Sequence, residues 1–214
     1  MKLLNSLIGT TVLILSFLAQ AETVQDAVVY LQTEWAIDNY QLTGKAQKES
    51  FKTLIERADQ KITAHPDTAE LYIWRGIIKS TYAGVKGGLG ALKYAKSAKA
   101  DLEKALELDP VALQGSAYTS LGTLYFNVPG WPVGFGNDDE AEKYLKKALL
   151  INPDGIDPNY FYGDFLRNER RYDEAKGYME KALQAEPRVG RALADQGRRK
   201  EIKQALVDIG IHLE

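Results

Sequence analysis

Apolar and small residues along the chain follow a helical period that proline interrupts at four places. The interruptions lie at intervals of 44, 43 and 34 residues, at Pro66, Pro110, Pro153 and Pro187. Each proline follows a histidine, an acidic residue or an asparagine. A helix usually ends before such a dipeptide, because the residue that precedes a proline avoids the helical conformation. The pattern therefore predicts a series of repeated helical units.

Small residues occupy fixed positions within these units. Three prolines are preceded by alanine, then leucine or methionine, then alanine, at offsets of four, three and five residues: Ala98, Leu102 and Ala105; Ala141, Leu145 and Ala148; Ala175, Met179 and Ala182. The helix before each of these series carries a glycine, namely Gly76, Gly122 and Gly163. Glycine permits close backbone approach. We expect each unit to be an antiparallel helix pair in which these residues are core.

The combined pattern resembles the tetratricopeptide repeat over roughly residues 68–187. Its first-helix motif is clearest in Tyr118-x2-Leu121-Gly122-x2-Tyr125. The resemblance implies an all-α fold, a right-handed superhelical stack of antiparallel helix pairs. It also implies a concave face that binds a peptide or a partner domain.

The repeat divides one helical domain, residues 22–214, into consecutive parts. We assign three repeats to residues 67–110, 111–153 and 154–187. A divergent first pair at 22–66 precedes them, and a capping helix at 188–214 follows. The last part contains four arginines, Arg188, Arg191, Arg198 and Arg199. They are open to two interpretations, a solvated outer face of the terminal unit or an anion site.

Residues 1–21 have the order of a secretory signal peptide. Met1-Lys2 is a short basic start, residues 3–18 are mostly apolar, and Ala19-Gln20-Ala21 is a small-x-small cleavage pattern. A membrane anchor is the alternative, but the apolar core is shorter than the roughly 20 residues of a comfortable span. We expect cleavage near Glu22 and a periplasmic or secreted mature protein.

Two insertions lengthen the first two intervals beyond 34 residues. They lie at 83–90 and 127–136, in both cases between the two helices of a pair. We expect two long loops on the same side of the stack. The second carries Trp131 and Phe135 among glycines and prolines, and large aromatics in such a loop either pack against the fold or meet a partner. Contact with a partner would predict a ligand-facing wall formed by both loops together with Tyr82, Tyr94, Tyr160 and Phe161.

Composition excludes several function classes. The net charge of -2 gives no support to nucleic-acid binding. The chain has no cysteine and two widely separated histidines, so the sequence predicts neither a metal site nor a cofactor. It contains no GxSxG or HExxH motif, and we expect a protein that is not an enzyme. Asp164 stands in an unusually aromatic segment and is either a hydrogen-bonded buried acid or a ligand contact.

Two functions remain open. The first is a periplasmic or secreted scaffold for protein–protein interaction. The second is an accessory protein of a transport system that binds a small molecule or lipid in an apolar pocket. The segment from Gly134 to Leu149 also resembles the periplasmic T-component family of TRAP transporters, which implies a role in assisting a solute-binding protein. Members of that family are typically lipid-anchored through a cysteine, which this chain lacks.

Overall fold

The computed structural model describes residues 22–88 and 90–213. The predicted signal peptide lies outside the described residues. Apart from one isolated bridge between Gly130 and Gly136, the regular structure of the described part is helical. The helices are α1 (Val24–Tyr40), α2 (Gly44–Ala64), α3 (Ala69–Lys86), α4 (Ala91–Leu108), α5 (Ala112–Asn127), α6 (Asp138–Ile151), α7 (Ile156–Asn168), α8 (Tyr172–Gln184) and α9 (Ala192–Leu213). The all-α prediction is confirmed.

Consecutive helices pack as pairs through the predicted glycines. The tightest example joins α5 to α6, where a methyl group added to Gly122 would lie 2.6 Å from Cγ of Leu145. The equivalent distance from Gly76 to Leu102 is 2.7 Å, and from Gly163 to Met179 it is 3.2 Å. The alanines and the leucines or methionine of the repeated pattern have no exposed surface. The sequence prediction that these residues are core is confirmed.

The first helices of the pairs also contact one another. α3 packs against α1 and α5, α7 packs against α5 and α9, and α9 returns to contact α1. These five helices therefore form a closed inner ring, which we call the helix ring. The second helices, α2, α4, α6 and α8, surround it.

The contact between α9 and α1 closes the helix ring. Gly197 of α9 lies against the Tyr40 ring, so closely that an added methyl group would be 2.3 Å from Cε1 of Tyr40. Ala194 is buried in the apolar cluster that includes Trp35 and Trp74. The sequence predicts a terminal capping helix here, but it does not predict contact with the first helix.

The prediction of a loop at residues 83–90 is wrong for the first half of this segment. Helix α3 continues to Lys86, since Ala83 is buried in the core and favours continued helix. Gly87 then ends α3 with a φ of 63°, a left-handed conformation that glycine adopts without a steric penalty. The first half of the insertion therefore lengthens a helix.

The second insertion is a loop, as predicted. It joins Asn127, the last residue of α5, to Asp138, the first of α6. Gly136 donates its backbone N–H to the Pro129 carbonyl at 3.0 Å, and Asn137 donates to the Tyr125 carbonyl at 2.9 Å. These bonds fix the loop against the end of α5.

Candidate binding cavity

The helix ring surrounds a half-open cavity of about 1530 Å³. All five ring helices contribute to its lining, together with the loop after α5 and the segment between α8 and α9. Since successive first helices present the same face, the cavity corresponds to the concave face of the stack.

Helix α5 supplies a stripe of small polar side chains to the cavity: Ser116, Thr119, Ser120, Thr123 and Asn127. Their spacing of three and four residues places them on one helix face. The hydroxyls of Ser116 and Thr123 are partly satisfied within the helix, where they donate to the carbonyls of Leu113 and Thr119 at 2.7 and 2.8 Å. Their lone pairs can still accept hydrogen bonds from a ligand.

Aromatic side chains form another part of the cavity lining. Trp35 of α1 and Trp74 of α3 both line the cavity, with ring centroids 5.9 Å apart. The indole Nε1 of Trp35 donates to the Thr81 hydroxyl at 2.9 Å, which fixes its orientation. Rigid aromatic walls with a few oriented polar groups are typical of ligand cavities.

The end of the cavity near α7 and α9 is charged. Asp157 accepts hydrogen bonds from Arg188 at 2.6 Å and from Arg198 at 2.9 Å. Burial alone would raise the pKa of the Asp157 carboxyl, but the guanidinium groups of Arg198 and Arg188 hold it well below its ordinary value. This carboxylate is therefore charged at neutral pH and ties α7 to α9.

The four C-terminal arginines do not form a solvated face. Arg198 is 7% exposed and lies over the rings of Tyr160 and Phe161, with its Cζ 4.3 and 4.5 Å from their centroids. Arg199 donates to the carbonyls of Leu183 and Ala185 at the end of α8. The interpretation as a solvent-facing cap is wrong. Arg188, Arg198 and Arg199 hydrogen-bond to partners on other elements, and Arg191 lies over the Trp74 ring.

Two of the predicted site residues lie in the core between α2, α3 and α4. Tyr82 is almost fully buried, and its ring centroid is 4.7 Å from that of Tyr94. Phe51 packs on the other side of Tyr82 at 6.5 Å. Neither tyrosine lines the cavity.

The two aromatics of the second loop point to different surroundings. Trp131 is 90% exposed. Phe135 packs against the core, edge-on to Tyr125 at 5.6 Å, with Nζ of Lys99 5.8 Å from its centroid. The loop reaches the cavity through Pro129 and Val133 instead.

The remaining predicted residues lie on α7. Phe161 lines the cavity, while Tyr160 packs edge-on against it at 5.0 Å. Asp164 accepts hydrogen bonds from Arg167 and lines a separate pocket of about 380 Å³ with Asp208 and His212. The structure therefore does not bring the six aromatic residues of the predicted wall together, and among all seven candidate residues Phe161 alone lines the cavity.

Sequence reasoning missed the α5 stripe and the two tryptophans. The stripe has a detectable signal, since small polar residues recur at helical spacing opposite the packing positions Leu121 and Gly122. Single serines and threonines carry no distinctive chemistry, so that signal is weak.

Metal-binding clusters and membrane spans are absent from the described part of the chain. Residues 22–88 and 90–213 contain no cluster of three or more carboxylate or imidazole side chains placed to hold a metal ion. Among the described helices, none combines the length and the apolar composition of a membrane span.

Comparison with protein families gives a match to the tetratricopeptide repeat at residues 89–111, 134–154 and 156–189. No curated protein shows a significant match. Among solved structures, a thermophilic TPR protein of Thermus thermophilus is similar to this chain with a TM-score of 0.57 and 17% identity, over 86% of this chain and 98% of that protein. At such identity the similarity shows the fold alone.

Two further structures are more distant. MamA has a TM-score of 0.45 and 22% identity, over 77% of this chain and 90% of its own. YrrB, described as a TPR protein with an unusual peptide-binding site, has a TM-score of 0.42 and 20% identity, over 75% of this chain and 78% of its own. The resemblance to the TRAP T-component family is not confirmed.

Proteins built from these repeats generally act as non-enzymatic scaffolds that bind peptides or other proteins. The matched segments coincide with α4, with α6 and with the α7–α8 pair. The chain thus contains tetratricopeptide repeats, and its described part has an all-helical fold that resembles the solenoid of a TPR protein.

Proposed function

We propose that this protein is a periplasmic or secreted scaffold that binds a peptide segment of a partner protein inside the helix ring. The observation that carries the proposal is the cavity of about 1530 Å³. Pockets for small molecules usually measure roughly 300–1000 Å³. The larger volume suits a peptide segment better than a single small ligand.

The lining supports a peptide as the occupant. Apolar side chains such as Trp35, Ile77 and Leu124 offer contact area, and the α5 stripe offers hydroxyl groups for backbone hydrogen bonds. Arginines at one end add fixed charge. A lipid tail would leave these polar groups without partners, at a cost in binding free energy.

The proposed location depends on residues 1–21. Their basic start, apolar core and small-x-small end are typical of export signals. Cell fractionation, with the mature N-terminus determined by mass spectrometry, tests this part. A protein retained in the cytoplasm with residues 1–21 intact would contradict it.

The cavity itself is tested by filling it. Thr123→Trp places an indole on the cavity face of α5, whereas Thr53→Trp adds the same side chain to the exposed face of α2. The two threonines are matched, because each hydroxyl donates to the carbonyl four residues earlier. We expect peptides selected from a random display library by the wild type to bind Thr53→Trp unchanged. Binding to Thr123→Trp should be at least roughly tenfold weaker.

Intrinsic fluorescence gives a direct reading of occupancy. The chain has three tryptophans, and Trp131→Phe leaves Trp35 and Trp74, both in the cavity lining. Titration of this variant with a selected peptide should change the emission. Unchanged emission at saturation, or full binding by Thr123→Trp, would show that the partner binds elsewhere. A stoichiometric small molecule in natively purified wild type, lost in Thr123→Trp, would favour the transport-accessory alternative.

A further inference from the structure

Three polar atoms without partners lie where α1, α3 and the segment before α9 meet. They are Nε of Arg191, Nε1 of Trp74 and the hydroxyl of Tyr40. Each is a hydrogen-bond donor, and each lacks an acceptor among the described residues. Trp35 links the group, with ring centroids 5.8 Å from Tyr40 and 5.9 Å from Trp74. A buried cluster with surplus donors and no acceptor is unusual and calls for one from outside the chain.

Arg191 carries the charge of this cluster. Its Cζ lies 5.0 Å from the centroid of the Trp74 ring, a cation–π distance. Its side chain makes no hydrogen bond or ion pair within the described residues, although the two flanking arginines do. Arg188 and Arg198 share Asp157, and Arg188 also pairs with Asp195 at 2.7 Å.

On balance the electrostatic environment disfavours this charge, although the carboxylates of Asp157 and Asp195 partly offset the penalty. Burial, and then the neighbouring charge of Arg188, lower the pKa of Arg191 to about 10. Arg191 is therefore still protonated at neutral pH. An anion placed beside it would restore the lost stabilisation of the charged form.

The guanidinium also borders the ligand space. Arg191 and Trp74 both line the cavity, and Trp74 is only 4% exposed. Among the described residues that line the cavity, the other charged side chains form ion pairs, as Lys181 does with Asp154 and Arg198 with Glu201. The exception is Glu186, which is exposed. Arg191 is thus a cationic group within the cavity to which the described residues supply no carboxylate partner.

We propose that Arg191, held over Trp74, is a subsite for a single carboxylate of the bound peptide. The proposal rests on the peptide-binding function above and adds a ligand chemistry to it. A guanidinium can hold a carboxylate through two parallel N–H···O bonds. The nearby carboxylates of Asp157 and Asp195 oppose a second negative charge, so a carboxylate fits better than a dianionic phosphate. The group comes either from an acidic side chain or from the peptide C-terminus.

The test compares selected peptides before and after their carboxylates are removed. Peptides selected by the wild type are remade with Glu or Asp changed to the amide, and separately with an amidated C-terminus. Their affinities are measured for the wild type, Arg191→Gln and Arg57→Gln. Arg57 is an exposed arginine of α2 outside the cavity, which makes it a control for net charge.

We expect one of the two peptide changes to weaken binding to the wild type roughly tenfold. The change that does so identifies the source of the carboxylate. Arg191→Gln should lose the same factor for the unmodified peptide and show no further loss for the modified one. Arg57→Gln should behave as the wild type, and Arg191→Lys should recover only part of the affinity, because an ammonium group lacks the planar fork of donors.

The outcomes separate this proposal from the function on which it rests. One outcome would overturn the subsite alone: the peptides bind the wild type and Thr53→Trp but not Thr123→Trp. In that outcome they also keep full affinity for Arg191→Gln. Absence of peptide binding to the wild type would overturn both proposals. Thermal unfolding of Arg191→Gln within a few degrees of the wild type shows that an affinity loss is local, and Arg191→Lys supplies the same comparison if the glutamine variant does not fold.

Discussion

At the scale of single residues, three glycines decide how closely the paired helices approach. Gly76, Gly122 and Gly163 could be recognised in the sequence because their partners stand at a constant distance before a proline. Local spacing fixes this contact, so sequence alone is sufficient to predict it. The partners of Arg188 and Arg198 could not be predicted in this way, since Asp157 is brought to them by the packing of α9 on α7.

The Gly122 contact gives the first prediction. Gly122→Ala places a methyl group 2.6 Å from Cγ of Leu145 and 3.0 Å from the Ala141 carbonyl. We expect a loss of about 1–3 kcal/mol in the free energy of unfolding, measured by urea denaturation. Gly177→Ala in α8 is the control, because it meets no atom within 4 Å, and it should stabilise by about 0.5–1 kcal/mol. Equal effects of the two substitutions would contradict the packing.

The second prediction concerns acid sensitivity. Hydrogen bonds from Arg171, then from Lys146 and Tyr162, lower the pKa of Glu142 to about 2 from its ordinary 4.5. Because the pKa of Glu142 is lower in the folded state than in the unfolded state, the ionised carboxylate stabilises the fold at higher pH. This stabilisation is lost as the pH falls through 4.5 toward 2. The wild type should therefore lose more stability than Glu142→Gln over this range. If the unfolding free energies of the wild type and Glu142→Gln changed in parallel with pH, the ionisation of Glu142 would not contribute to stability.

At the scale of helices and loops, sequence patterns predicted where the helices lie better than which of their residues face the cavity. Helix α4 begins at Ala91, directly after the predicted insertion, but the first half of that insertion extends α3 because Tyr82 and Ala83 are buried. Most of the aromatic residues that the sequence suggested for a binding wall do not line the cavity. Tyr82 has ample apolar area to bury in the core, whereas the cavity face of α5 carries small polar residues such as Ser120 that carry little chemical signal.

The loop between α5 and α6 gives the third prediction. Trp131→Ala should change the unfolding free energy by less than about 0.5 kcal/mol, because its side chain is almost fully exposed. Phe135→Ala should cost about 1–3 kcal/mol, because its ring packs on Tyr125 and the adjacent core. Chemical denaturation of both variants provides the measurement. A large loss for Trp131→Ala would show that the loop buries this side chain.

At the scale of the whole molecule, the closed helix ring is the feature that local patterns cannot reveal. Its closure depends on the accumulated rotation of four helix pairs, and small changes in each pair would move α9 away from α1. The cavity exists because of this closure. The sequence therefore predicted the solenoid, but neither the volume of the cavity nor, apart from Phe161, the candidate residues that line it.

The fourth prediction tests closure. Gly197→Ala forces a methyl group into the Tyr40 ring, and the contact between α9 and α1 should weaken. We expect a loss of about 1–3 kcal/mol and faster amide hydrogen exchange in α1, although α1 is distant in sequence. Gly210→Ala lies in the same helix with no atom within 4 Å and should leave exchange in α1 unchanged. Unaltered exchange in both variants would mean that the ring closes through other contacts.

Closure also changes how the protein should unfold. An open repeat array behaves as a one-dimensional chain, in which terminal units fray first and independently because each contacts one neighbour only. Contact between α9 and α1 gives each terminal unit a second neighbouring unit. Fraying at either end must then break an additional interface, so the terminal units share the cooperativity of the central ones, and the molecule should lose its structure in a single transition.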